Sequence, residues 1–165
     1  MEETKKTNDK KEAVVPVNVA LPNHWATSAE TLWATPLGED LYQIENVPFY
    51  AYGLNYKDIV KANIIGKAEI PLAHELVKKG GHQTFRLSFA TGIQKEFQEK
   101  ILNGFKSLHV TYERANETYV ALDMKPQGVF KEVFAVLNKL VENGILSFET
   151  CEARVFGTFD DKPKL

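Results

Sequence analysis

A chain of 165 residues with 44% hydrophobic and 25% charged side chains has ordinary globular composition and can bury a core in one domain or two small ones. Its net charge of -2 lacks the basic footprint of a dedicated nucleic-acid binder, and its single cysteine, Cys151, excludes an intramolecular disulfide and a cysteine zinc cluster. No apolar run reaches the ~18 residues of a membrane-spanning helix, and the amino terminus lacks a secretion-signal pattern, so a cytoplasmic, reducing location is expected.

Residues 1–12 mix lysine and acidic residues with almost no apolar side chain; they cannot offset the entropy of ordering, and a disordered tail is expected. A small β subdomain is expected over residues 13–80. Val14, Val15, Val17, Val19 and Leu21 form an apolar run that ends at Pro22-Asn23. Leu32-Trp33-Ala34 and Leu41–Ile44 read as antiparallel strands around a turn at residues 36–40, and residues 49–52 and 58–63 read as further short strands. Such spacing predicts a small bent sheet or partial barrel. Residues 71–79 fit either one or two helical turns stopped by Gly80-Gly81 or a strand.

After the two glycines the hydrophobic period switches between strand and helix, and does so twice. Phe85, Leu87 and Phe89 alternate, then Ile93, Phe97, Ile101 and Phe105 recur at helical spacing over residues 93–105. The pattern repeats from Val120 to Phe148, with a helix over residues 129–142 that buries Phe130, Val133, Phe134, Leu137, Leu140 and Val141 and stops at Asn143-Gly144. The order strand, helix, strand, strand, helix, strand predicts a ferredoxin-like half over residues 81–157 and a flexible tail over 158–165, giving an α+β fold. Both helices should cover one sheet face. Arg86, Ser88, His109, Thr111 and Asp123 fall on the other, to be solvated or covered by the amino-terminal sheet.

Chemistry-bearing signatures are sparse. His24, His74, His82 and His109 form no helical pair and no cluster with carboxylates, so no metal and no cofactor is expected. GxSxG, P-loop and GxGxxG patterns are absent. Cys151, flanked by Glu149 and Glu152, should have a raised pKa and serve poorly as a nucleophile. Asn116-Glu117-Thr118 matches a glycosylation sequon but reads as a hairpin turn. Thr118 to Asp123, the third strand of the βαββαβ order, lacks the basic and aromatic residues of an RNA-recognition strand, which disfavours nucleic acid as a partner.

The polar cluster most suited to function is Gly80-Gly81-His82-Gln83-Thr84-Phe85-Arg86 together with Asn46, Tyr56 and Asp58. Glycines permit close backbone approach, histidine exchanges a proton near neutral pH, and arginine grips a carboxylate or phosphate bidentately. On a strand, His82, Thr84 and Arg86 share one face. The plainer reading pairs Arg86 with Asp58 as a bridge between the two halves while His82 caps a turn.

Glu30-Thr31-Leu32-Trp33-Ala34, Gly38, Tyr42, Asn46-Val47-Pro48-Phe49-Tyr50-Ala51 with Gly53, Asp58-Ile59-Val60 and the Gly81-His82-Gln83-Thr84-Phe85-Arg86 segment together resemble a family of small bacterial proteins known only as a domain of unknown function. The resemblance, with its LWA, NxPFxAxG and GHxTxR blocks, spans most of the chain from about Glu30 onward. It implies only a compact, soluble bacterial protein and supplies no activity to carry over; the family often has serine where Gly80 stands. Within these blocks Trp33 and Phe49 read as core anchors, Pro48 as a bend and Gly53 as a turn.

Two functions fit. One is a non-enzymatic protein-binding module, in the form of an immunity protein or antitoxin whose acidic balance suits a basic toxin and whose Tyr50, Tyr52 and Tyr56 anchor the interface. The other is a sensor of a small anionic ligand, or an enzyme without a familiar signature, with its pocket at the subdomain junction. There His82, Thr84 and Arg86 would bind the ligand beside Tyr56, with Asn46 and Asp58 orienting it. A homodimer through an edge strand or the open sheet face is compatible with either.

Overall fold

The structure, a computed structural model, describes residues 13–165; the tail expected over residues 1–12 lies outside them. Strict alternation builds the first half. In β1 (Val15–Ala20), Val17 and Val19 point inward; in β2 (Ala29–Gly38), Glu30, Leu32 and Ala34 are buried while Thr31 and Trp33 are exposed. The β2 strand turns into β3 (Leu41–Ile44) through Glu39-Asp40, both at positive φ (55° and 62°), the backbone that matches the right-handed twist of a hairpin. β4 (Ile59–Asn63) pairs antiparallel with β3 and with β5 (Leu72–Lys78). A parallel contact at Asn18 and Leu72 closes the five strands into a barrel. The sheet is thus fully closed rather than bent or partial, and residues 72–78 are a strand rather than helical turns. Closure removes the exposed edges that an open sheet of this size would carry.

Residues 49–52, expected to be a strand, are not one. They belong to the β3–β4 connection, which contributes Ala51 and Leu54 to the barrel core alongside Leu21, Leu32, Ile44 and Val60. Phe159 joins the same core, and its carbonyl accepts the Tyr52 N–H at 2.8 Å. The carboxy-terminal segment is therefore docked at Phe159 and Asp160, not a free tail.

The second half runs β6 (Gln83–Phe89), α1 (Lys95–Gly104), a 3-10 turn at Phe105–Leu108, β7 (Val110–Arg114), β8 (Tyr119–Met124), α2 (Phe130–Glu142) and β9 (Leu146–Thr150). Its four strands pair antiparallel in the order β7-β8-β6-β9. Phe85, Leu87 and Phe89 on one face of β6 share a core with Leu102, Phe105, Val133 and Leu137. Each fully buried side chain of this kind contributes about 1.5–3 kcal/mol. The helical stripes are narrower than expected: Phe97 is exposed on α1, where Gln98 and Leu102 are buried, and Phe134 and Val141 are exposed on α2. Asn116 caps the β7–β8 turn, its side-chain oxygen accepting the N–H groups of Thr118 and Tyr119. His109 lies outside β7, in left-handed backbone (φ 62°) after the 3-10 turn.

Candidate functional site

The sheet face opposite the helices is covered by the β3–β4 connection, and one buried arginine organises the contact. Arg86, on β6, donates to the carbonyls of Pro48 (3.3 Å), Tyr50 (3.2 Å) and Ala51 (2.8 Å), and through Nε to Glu149 (3.0 Å). From the barrel side, the buried Glu30 carboxylate accepts the N–H groups of Phe49 (2.6 Å), Tyr50 (3.0 Å) and Ala51 (2.9 Å). Burial pushes the Glu30 carboxyl above its ordinary value, while those three N–H donors pull the other way. Tyr119 donates to the Phe49 carbonyl and stacks on Tyr50 at 5.8 Å. Tyr52, 1% exposed, donates to Glu149 with the guanidinium groups of Arg86 and Arg154 over its ring at 4.7 and 4.2 Å.

This arrangement corrects three expectations. Arg86 does not pair with Asp58; its side chain is 0% exposed and four of its five N–H donors are engaged, so it acts within the fold rather than on a ligand. Trp33 is exposed rather than a core anchor, since its neighbours Leu32 and Ala34 point inward and alternation turns it out. Tyr52 is internal and cannot anchor an interface.

A separate cleft of about 260 Å³ opens beside this clamp, lined by Asn55, Lys79, His82, Thr84, Cys151 and Glu152 among others. Gly80, between the lining residues Lys79 and Gly81, packs against the backbone: its N–H reaches Asp58 at 2.8 Å, and a Cβ here would lie 2.4 Å from the Lys57 carbonyl oxygen. Asp58 also accepts the Asn55 N–H at 2.9 Å, and its carboxyl is raised above the ordinary value by burial. It therefore folds the cleft wall instead of facing a ligand. Thr84 donates to the Asn55 side-chain oxygen at 2.8 Å.

His82 is the chemically distinctive member. Its Nδ1 lies 2.8 and 3.0 Å from the two oxygens of Asp123, and Tyr56 stands edge-on to its ring at 5.0 Å. The Asp123 carboxyl is raised by burial, opposed by its bond to His82. An Nδ1–H held on a carboxylate fixes the ring's orientation and leaves Nε2 free for a ligand, as an acceptor in the neutral ring and as a donor in the imidazolium. Burial pushes the Cys151 thiol up to about 12, so it is neutral and unreactive. Among the described residues, no group of three His, Cys, Asp or Glu side chains could hold a metal ion.

Of the residues singled out in the sequence, the structure brings His82, Thr84 and Tyr56 together, with Asp58 behind them. Asn46 stands apart, accepting the Trp33 N–H at 2.8 Å. Sequence reasoning missed Asp123 as the partner of His82, Asn55 as the partner of Thr84, and Glu30. For Glu30 a signal existed: alternation in β2 places it on the face of Leu32 and Ala34, where an acid must be holding donors.

No curated protein matches the chain. The fold is shared with a solved structure described as a hypothetical protein from Neisseria gonorrhoeae, at a TM-score of 0.68 and 18% identity, covering 86% of this chain and 94% of that one. Residues 30–148 match a family model, and the chain belongs to that family, DUF4265, a domain of unknown function.

Proposed function

We propose that this protein binds a small anionic ligand in the cleft at the junction of barrel and sheet. The observation that carries the reading is His82, with Nδ1 pinned by Asp123 and its ring in the wall of a cleft that also holds Lys79. In its imidazolium form, with one N–H on Asp123, His82 would donate Nε2–H to a carboxylate or phosphate oxygen beside the Lys79 ammonium, with Thr84 and Asn55 bordering the site. Binding rather than catalysis is favoured because the hydroxyl and thiol lining the cleft are committed, Thr84 to Asn55 and Cys151 to its neutral form.

The sheet order β7-β8-β6-β9 supports a ferredoxin-like reading of residues 81–157 beside a barrel subdomain over residues 13–80. That fold hosts many functions and adds nothing to the choice among them. An unpaired cysteine fits a cytoplasmic, reducing setting.

A second reading is an interaction module, as an immunity protein or antitoxin. It is favoured by Trp25 and Trp33, which are 68% and 51% exposed, tryptophan being enriched at interface hot spots.

The test is an NMR titration of the protein with inorganic phosphate and with succinate. The proposal expects saturable shifts at the amides of Gly81, His82 and Thr84 that are lost in His82→Gln and weakened in Lys79→Ala. Unchanged spectra with both anions, alongside tight capture of one protein partner that is lost in Trp25→Ala, would favour the second reading.

A further inference from the structure

The cleft beside His82 carries charges of both signs, and it opens where two strands part. The β6–β9 ladder ends at Phe85 and Thr150. Beyond it, β6 stays paired with β8 out to Gln83 and Met124, while residues 151–153 leave β6 and pack on the β3–β4 connection. There the Gly53 N–H donates to the Cys151 carbonyl at 2.7 Å, and a Cβ on Gly53 would lie 2.7 Å from the Ala153 Cβ. His82 and Thr84 therefore line the cleft from β6, and Cys151, Glu152 and Ala153 line it from the segment that has moved away.

Glu152 is exposed, and its charge is felt at the cleft wall: burial is the main cause of the raised Cys151 thiol, and the Glu152 carboxylate adds to it. Lys79, which follows β5 in the chain, is also exposed, and its ammonium opposes the burial that raises the Asp58 carboxyl. Neither Lys79 nor Glu152 takes part in an ion pair among the described residues. They do not neutralise each other across the cleft, so each keeps its charge for a ligand. A purely anionic ligand would be attracted by Lys79 and the His82 imidazolium and repelled by Glu152. An anion that also carries an ammonium meets all three with the opposite sign. The volume of about 260 Å³ lies below the range of about 300–1,000 Å³ for drug-sized ligands, which restricts the occupant to a small compound.

We propose that the anion bound in this cleft is an acidic amino acid, its carboxylates at His82 and Lys79 and its ammonium at Glu152. The inference rests on the anion-binding reading above and adds to it a selecting residue, Glu152, that distinguishes an amino dicarboxylate from a plain one.

The experiment is an NMR titration of the full chain with aspartate and with methylsuccinate, in which a methyl group stands where aspartate carries its ammonium. Saturable shifts at the amides of His82, Thr84 and Glu152 are expected with both, and aspartate should bind about fivefold tighter, the scale of one solvent-exposed ion pair. Glu152→Gln should bring the two compounds to equal affinity, and Glu152→Lys should reverse their order; both replace an exposed side chain, and the spectra of the free variants report whether the fold is intact. Equal affinities in the parent, or a preference for aspartate that survives either substitution, would overturn the assignment of Glu152 while leaving the anion-binding reading standing. The absence of saturable shifts with both compounds would overturn it as well, and if inorganic phosphate also produced none, the anion-binding reading would fall with it.

Discussion

Glu30 and Arg86 hold opposite edges of the same short stretch of backbone. The carboxylate takes the N–H groups of Phe49, Tyr50 and Ala51, and the guanidinium takes the carbonyls of Pro48, Tyr50 and Ala51. An irregular segment buried between two sheets would otherwise carry unpaired peptide groups, so two long, oppositely charged side chains supply what a strand partner would. Three sequence blocks thereby have one physical role: the first provides the acid, the second the clamped peptide, the third the arginine.

Arg86→Met should therefore destabilise the protein by about 3–5 kcal/mol, the range for removing one partner from a buried charged network. Glu30→Ala should also cost several kcal/mol, since it strands three N–H groups at roughly 1–3 kcal/mol for each one left unpaired. Because both side chains secure one segment, the double variant should lose less than the sum of the singles. Urea denaturation measures all three. Strict additivity would mean that the two act on separate elements.

Gly80→Ala should lower stability by about 1–3 kcal/mol through overpacking, because the new Cβ would meet the Lys57 carbonyl at 2.4 Å. It should also loosen the Gly80 N–H bond to Asp58. A variant with an unchanged denaturation midpoint would show that the Lys57 backbone yields easily, as a serine in this position would require.

Cys151 offers a pH test. Burial raises its pKa from 9.0 to about 12, so this thiol's contribution to stability is full below the unfolded value of 9.0 and is lost as pH rises through about 12. At pH 9 only on the order of a thousandth of the folded thiol is ionised, given a shift of about three pKa units. Iodoacetamide should therefore label the unfolded protein rapidly and the folded one hardly at all, read by mass spectrometry. Comparable rates would contradict the burial of this strand end.

Glu99 shifts the other way. Hydrogen bonds from Tyr112 and Arg114 hold its carboxyl below the ordinary 4.5, so its stabilisation is present above that value and fades as pH falls through the lowered folded pKa. Glu99→Gln should be less stable than the parent at neutral pH, and the gap should close on acidification. A gap that widened in acid would reverse the assigned sign.

Much of the architecture could be read from hydrophobic period, because alternation in β2 and β6 and the heptad-like spacing of Phe130, Val133, Leu137 and Leu140 each follow one geometry. The stripe Ile93, Phe97, Ile101, Phe105 misled for a geometric reason: steps of four drift about 40° each on a helix of 3.6 residues per turn, so the row crosses the helix surface obliquely, exposed at Phe97 and buried only by Phe105. Residues 49–52 look like a strand by their aromatic content, yet their partners are side chains distant in sequence rather than a neighbouring strand. The pairing of His82 with Asp123 spans two strands, and no local spacing encodes it. Arg86 was visible as an important residue, but its commitment to carbonyl oxygens depends on the path of a connection that propensity does not describe.

The most direct test of the ligand-binding account is native mass spectrometry of the parent protein and His82→Gln, each isolated gently from the host. The account predicts a small anionic adduct on the parent that is absent from the variant, with both proteins folded. A parent free of any small adduct and bound stoichiometrically to another protein would contradict it.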